Sequence, residues 1–422
     1  MNNPIKILLI MFHSTQNAGD LALLEISIHQ LGKYFRTTKF TISANYPEES
    51  WYKEKGYKVV PSPISLIGKS KNLSPWLQVV NFLLSLFFTI LYFMKLRLLI
   101  PKDWNSLFIE YESSDLVVAV PGNQIYSTGR FGWPFPANIF SFVLAHLFGK
   151  PVYILPQSIG PFRRWWEKRV FQWAYSKARL IYLRDKTSLR LGRTLGLPSN
   201  KTIYAPDPAF SLQPESKEIA QSLLKSFGWF PEKNSIGITM IAPMGRSLNY
   251  QLVQNYYQVL EQTIPQFALL HQLQVVIFYQ VTGPTHLEDD RIPSRLFFKK
   301  VQEIYKDILI IEKSLSPSML KACYGEMDVF LASRLHSGIF ALGMEVPTIF
   351  IGYLPKSFGI LESIGFENCV LELSGLTHDK LLSVLECTWE NRKKISSELE
   401  KVICSISKQS DIPFYGIYSD VR

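Results

Sequence analysis

The chain reads as an α/β protein with two Rossmann-like domains facing a cleft and an apolar helical insert in the first. Three observations predict this class. Short apolar runs of strand length alternate with longer amphipathic segments over most of the sequence. The alternation occurs in two successive series with a polar stretch at 213–233 between them, so each series closes its own sheet. The one departure is the almost wholly apolar run 76–100. The expected domains are 1–212, with an insert at about 62–105, and 234–408. The tail 409–422 is expected to return to the first domain, and no internal repeat is evident.

In the first series residues 5–11 (IKILLIM) form a strand. The loop 13–20 (HSTQNAGD) follows and leads into an amphipathic helix. Asn17 and Gly19 sit in that loop; Gly19 allows close backbone approach, and Asp20 is placed to cap the helix. Strand, small-residue loop and helix start together imitate a dinucleotide-fold phosphate turn without its GxGxxG. Further strands are expected at 40–43 and 58–60. The strand after Asp115 leads to a turn in which Gly122 and Asn123 face a ligand. A helix at 135–148, a strand at 151–155 and a loop at 156–162 holding Gln157 come next. A Trp- and Arg-rich helix at 163–177, a strand ending at Arg184, and Asp207 in a turn bracketed by prolines close this half.

The insert 76–100 is long enough to span a bilayer. Lys69 and Lys71 precede it, and Lys95, Arg97 and Lys102 flank its far end. Gln78, Asn81, Ser85 and Thr89 recur every three or four residues and mark one polar stripe. A single crossing would put the first strand and everything after 101 on opposite sides, although both belong to one sheet. The expectation is therefore a helix resting on, or shallowly inserted into, an anionic membrane surface. A buried helix pair under a loop is the alternative.

The second series offers strands at 235–242, 274–281, 308–311, 329–332, 347–353 and 369–373, a long helix at 250–272 and a charged one at 377–408. Its organising stretch is 328–357. Ser333 is placed to cap a helix whose first turn holds Arg334 and His336, where amide groups and the dipole favour an anion. The next strand runs toward Lys356, which brings Arg334, His336 and Lys356 to the ligand end of an open sheet. The bland alternative pairs Arg334 with Glu345 and packs His336 away.

Hydrophobic residues make up 47% of the 422, enough for sizeable cores, and the net charge is +10. Residues 150–201 hold twelve Lys or Arg against Glu167 and Asp185, which accounts for the whole excess. No nucleic-acid module accompanies that charge, so an anionic membrane surface or a phosphorylated substrate fits it better than nucleic acid. Cys323, Cys369, Cys387 and Cys404 are scattered, which suggests free thiols in a reducing cytoplasm. No signal peptide is evident at the N-terminus. His286, Asp289 and Asp290 read as solvated loop charges rather than a metal set, and no metal is expected.

Several motifs stand in a fixed order: NAGD at 17–20, the strand and Gly turn at 115–123, QSIGPF at 157–162, LRDKTS at 183–188, DPAF at 207–210, and SRLHSG at 333–338 with GYLPK at 352–356. Together they resemble the polysaccharide pyruvyl transferase family over most of the chain outside the insert. The family usually has a Gly-Gly-Gly type turn where this chain has Pro121-Gly122-Asn123-Gln124, a departure that bears on acceptor choice. The resemblance implies a GT-B-like fold and transfer of pyruvate from phosphoenolpyruvate, as donor substrate and without a cofactor, to a sugar hydroxyl pair as a ketal. The acceptor would be a cell-surface polysaccharide or its lipid-linked precursor, met at the cytoplasmic face of the membrane.

Phosphoenolpyruvate carries two anionic groups, which calls for clustered cations. Arg334, Ser337, Lys356 and Arg184 are the expected donor-binding residues. His336 is the expected proton donor to the methylene carbon and Asp20 the acceptor of the hydroxyl proton. Asn17, Gly19, Gly122, Asn123, Gln157 and Asp207 would line the cleft, with Asp207 a second carboxylate base. Two other functions share this architecture. One is a glycosyltransferase using a nucleotide sugar, with Glu362 on the ribose; the other is a non-catalytic membrane scaffold.

Overall fold

The computed structural model describes residues 4–68, 75–128, 132–242, 249–352 and 355–422; the side chains of residues 75, 355–357 and 368 lie outside that description. The chain divides into two compact units. The first comprises Met1–Thr15, Leu23–Asp207 and Asp411–Arg422; the second comprises Gln16–Ala22 and Pro208–Ser410. Two features depart from the expected partition. The stretch 213–233 is no free linker, because its helix Lys217–Ser226 belongs to the second unit. The helix start at 16–22 also clusters with the second unit. The final helix Ile412–Val421 belongs to the first unit, where Asp420 accepts hydrogen bonds from Tyr153 at 2.7 Å and Arg179 at 3.0 Å.

The first unit is built on β1 (Ile5–Phe12), β2 (Thr38–Ala44), β3 (Lys58–Pro61), β4 (Leu116–Ala119), β5 (Gly122–Ile125), β6 (Val152–Ile159), β7 (Leu180–Leu183) and β8 (Thr202–Tyr204). Their order is β3-β2-β1-β4-β6-β7-β8, with β5 paired to β6, and every pairing is parallel. Helices cover such a sheet on both faces, so β4 and β6 are buried at every residue; β4 reads as an unbroken apolar run, β6 only as far as Leu155.

Three expectations need correction here. Residues 156–159 are strand, not loop: β6 runs on through Gln157 to Ile159. Gly122 and Asn123 open β5 rather than forming a turn, and Gly122 pairs with Gln157. The apolar helix is Pro75–Phe93 and stops well short of residue 100; a short 3-10 turn at Arg97–Leu99 and a further helix at Lys102–Ser113 follow.

The second unit contains β9 (Ser235–Thr239), β10 (Gln274–Phe278), β11 (Ile308–Ile310), β12 (Val329–Ala332), β13 (Thr348–Gly352) and β14 (Val370–Glu372). They are all parallel in the order β11-β10-β9-β12-β13-β14, the doubly wound dinucleotide-fold arrangement. Ile236, Ile238, Val275, Ile277, Val329, Leu331, Ile349 and Ile351 on these strands meet Leu260, Ile264 and Phe267 of the helix Tyr250–His271 to form the core. The charged stretch 377–408 is two helices, His378–Glu390 and Arg392–Gln409, separated at Asn391. Strand order reverses between β9 and β12, so the carboxyl ends of these strands mark the switch point where open sheets take ligands.

Candidate functional site

At the end of β12 the chain passes through Ser333 and Arg334 into the helix Leu335–Leu342. Ser333 does not cap this helix. Its amide donates to Thr239 Oγ1 at 3.2 Å and its hydroxyl accepts from Tyr256 at 2.7 Å, while Arg334 occupies the cap position in extended conformation. The Ser337 hydroxyl lies 2.7 Å from the Arg334 carbonyl and 2.8 Å from Thr239 Oγ1, fully buried. A Cβ on Gly338 would sit 2.1 Å from the Phe350 ring, so the absence of a side chain lets the helix lie directly on β13.

Arg334 pairs with Asp290, not Glu345. Its Nε lies 3.1 Å from Asp290 Oδ2 and its Nη2 2.5 Å from Oδ1. Asp290 also accepts from the Ala242 amide at 2.9 Å and the Val281 amide at 3.0 Å. Burial pushes this carboxyl up, while Arg334 and the two amides pull against that shift. The expectation of a solvated loop at 282–290 is therefore wrong for Asp290, which has no exposed surface. Asp289, by contrast, forks onto Arg291. Among the described residues no group of three His, Cys, Asp or Glu is arranged to hold a metal.

The segment starting at Gln16 is laid against the end of β10. Asn17 and Val281 form an antiparallel bridge, the Ala18 amide donates to Gln280 O at 3.1 Å, and the Thr282 amide donates to Gln16 O at 2.9 Å. Asn17 then caps the helix Ala18–Tyr34: its Oδ1 accepts from the amides of Gly19 at 3.0 Å and Asp20 at 3.4 Å. Asp20 is thus a first-turn residue, not the cap. A Cβ on Gly19 would fall 2.1 Å from His336 Nδ1 and 2.4 Å from its Cγ. The starts of two helices consequently meet at a glycine backbone pressed on a histidine ring, with both positive dipole ends at one place.

Gly19→Ala should therefore destabilise the protein by about 1–3 kcal/mol, the usual range for overpacking a tight contact. Thermal unfolding of Gly19→Ala, His336→Gly and the double variant checks this. The double variant should lose less than the sum of the singles, because the glycine at 336 removes what the new methyl meets.

The other predicted residues belong to the first unit or to the helix that follows β13. Arg184 and Asp207 bind each other at 2.6 Å inside the first unit, and Arg184 Nε also donates to Ser158 Oγ at 2.8 Å. Both are almost without exposed surface, with Asp207 in the segment between β8 and the 3-10 turn at Pro208–Ser211, flanked by Pro206 and Pro208. Gln157 is buried too; its Nε2 donates to Val120 O at 3.0 Å and its Oε1 accepts from Tyr175. Gly122 is buried and Asn123 half-buried, both within β5. β13 ends at Gly352, so Lys356 falls in the first turn of the helix Pro355–Ile364, and its side chain lies outside the described residues. Glu362 is half-buried on that same helix.

Two residues of the second unit's site escaped the sequence reading. One is Asp290, which nothing in the sequence distinguishes from Asp289. The other is Gln280, 2% exposed, whose Oε1 accepts from Tyr324 at 2.8 Å and whose Nε2 finds no partner among the described residues. Its carbonyl receives the Ala18 amide, which puts this unused donor next to the helix start.

Over residues 17–355 the chain matches the family model described as polysaccharide pyruvyl transferase. It is 23% identical over 412 residues to the amylovoran biosynthesis protein AmsJ of Erwinia amylovora, covering 94% of this chain and 95% of that one. In fold it resembles the UDP-GlcNAc 2-epimerase of Neisseria meningitidis, with a TM-score of 0.60, 14% identity, and coverage of 98% of this chain and 100% of that one. It also resembles the HepE protein of Anabaena in complex with UDP-glucose, with a TM-score of 0.57, 11% identity and 99% of each chain covered.

Proposed function

Because the chain belongs to the polysaccharide pyruvyl transferase family, and is a transferase of polysaccharide modification, we propose that it moves a pyruvyl group from phosphoenolpyruvate to a sugar hydroxyl pair. The acceptor in this reading is a polysaccharide or its lipid-linked precursor at the inner face of the membrane. The observation that carries the proposal is the meeting of two helix starts at Gly19 and His336, at the switch point of the second sheet. The positive dipole ends of two helices suit a small dianion there. Asp290 offsets the charge of Arg334, so Arg334 is assigned chiefly to fixing the helix start, and Lys356 to adding positive charge. Ser337 and Arg184, whose polar atoms are engaged within the fold, are withdrawn as donor ligands.

The chemistry follows from the donor. His336 gives a proton to the methylene carbon of phosphoenolpyruvate, and the neighbouring carbon becomes oxocarbenium-like. One sugar hydroxyl adds to it and passes its proton to Asp20, the residue after Gly19. Inorganic phosphate leaves with the proton that Asp20 took up, the second hydroxyl closes the ketal, and its proton returns to His336.

The test is thermal shift of the full chain with phosphoenolpyruvate, UDP and UDP-GlcNAc, followed by phosphate release on adding lipid-linked oligosaccharide extract. Stabilisation by phosphoenolpyruvate and acceptor-dependent phosphate release are expected. Stabilisation by the uridine nucleotides alone would replace this reading with a glycosyltransferase.

A further inference from the structure

The helix Pro75–Phe93 has its amphipathicity turned outward. Its polar stripe faces the protein: Ser85 is fully buried, Thr89 nearly so, and Asn81 Nδ2 donates to Ile67 O at 3.1 Å. Ser85 and Thr89 hydroxyls bond back to Phe82 O and Ser85 O, which removes their need for water. Tyr92, Phe82 and Phe88 anchor the same side against Phe108, Phe140 and Trp104. The other side is left bare. Leu77, Val80, Leu83, Phe87, Ile90 and Phe93 are each about half exposed or more along it, and Leu98 in the turn beyond has no cover at all. A monomeric protein rarely leaves so large a contiguous apolar face in water.

What covers this face is indicated by charge. From Trp76 to Lys102 there is no acidic residue, while Lys95 and Lys102 stand exposed at the end of the helix and beyond the Leu98 tip. The helix Phe135–Leu147 connects this face to a second basic surface. Its Phe140 touches Phe82, and its His146 touches Trp173 of the helix Trp165–Ser176, beside which Lys168, Arg169 and Lys177 are exposed. Arg163 is exposed with them, whereas Arg164 is held by the buried Glu167 at 2.6 Å. Apolar side chains, exposed Trp76 and Trp165, and lysines without acidic partners among them form the composition of a bilayer interface.

We propose that this face is a docking surface for an anionic lipid bilayer, with the helix lying in the membrane plane. A span is ruled out by pairing within one sheet. β1 precedes the helix and β4 follows it, yet Ile7, Leu8, Leu9 and Ile10 pair directly with Leu116, Val117, Val118 and Ala119. Strands so joined lie on one side of a membrane.

The experiment is co-sedimentation of the full chain with vesicles of phosphatidylcholine alone and with added phosphatidylglycerol, beside light scattering in lipid-free buffer. Binding is expected with phosphatidylglycerol and should weaken at high salt. Leu83→Glu/Phe87→Glu/Ile90→Glu should cut vesicle partition at least about tenfold, since apolar burial supplies most of the affinity of such helices. Its melting temperature should stay unchanged, because these positions face outward. Lys95→Glu/Lys102→Glu, a change confined to exposed side chains, should remove the preference for anionic lipid and serves as the second variant. Equal binding by all variants would overturn the proposal. So would a vesicle-free dimer abolished by the triple variant, which would assign the face to a second copy, or resistance to alkaline extraction with protease cleavage on both sides.

Discussion

Asp290→Ala is expected to destabilise the protein by about 3–5 kcal/mol, the cost of leaving a buried charged partner alone. Arg334 is 8% exposed and has two nitrogens on that carboxylate; the Ala242 and Val281 amides lose their acceptor as well. Denaturant unfolding gives the measurement. Asp290→Asn should fall between wild type and Asp290→Ala, because it keeps an acceptor oxygen but no charge. Asp290→Leu combined with Arg334→Met should recover part of the loss, since a well-packed apolar pair tolerates this environment better than half an ion pair. A change below about 1 kcal/mol in Asp290→Ala, the value typical of surface pairs, would show that the pair does not hold the helix start.

His336→Ala should lower the rate of pyruvyl transfer by about 10²–10⁴-fold, the range a positioned general acid contributes. Binding of phosphoenolpyruvate should change by no more than about threefold, because removing a group that acts in the transition state leaves ground-state affinity intact. Isothermal titration and single-turnover phosphate release separate the two quantities. His336→Gln, which fills the space beside Gly19 with a side chain unable to cycle a proton, should be as slow as His336→Ala. Recovery of activity in His336→Gln would make His336 a positioning residue. Parallel loss of binding and turnover in both variants would make it a donor ligand.

The two parallel sheets were legible because buried strands leave an unambiguous trace: ILLIM, VFLA and IFIG are apolar on both faces. Polar residues inside a sheet leave no such trace. Gln157 sits between Pro156 and Gly160, which read as loop punctuation, yet β6 continues through it because Val120 O and Tyr175 satisfy its amide. At the site, Arg334 and His336 were visible as a helix start after a strand, and Gly19 as a close approach. The partner of each was not, since Asp290 and His336 are brought to Arg334 and Gly19 by long-range topology rather than spacing. The polar stripe at 81–89 had the same ambiguity. Sequence gives the stripe, while only tertiary packing decides whether it faces water or protein, and here it faces protein.

The helix Ala18–Tyr34 begins with the second unit and finishes in the first, the division falling between Ala22 and Leu23. The compact body that bears His336 is therefore discontinuous along the gene. A fragment from Pro208 to Ser410 would carry β9 to β14 but not the strip that bridges Val281 and supplies the Ala18 amide to Gln280. Cut-and-paste exchange at one junction would thus deliver a site without Asn17, Gly19 or Asp20. Transferring this body whole therefore takes a second junction that carries residues 16–22 with it.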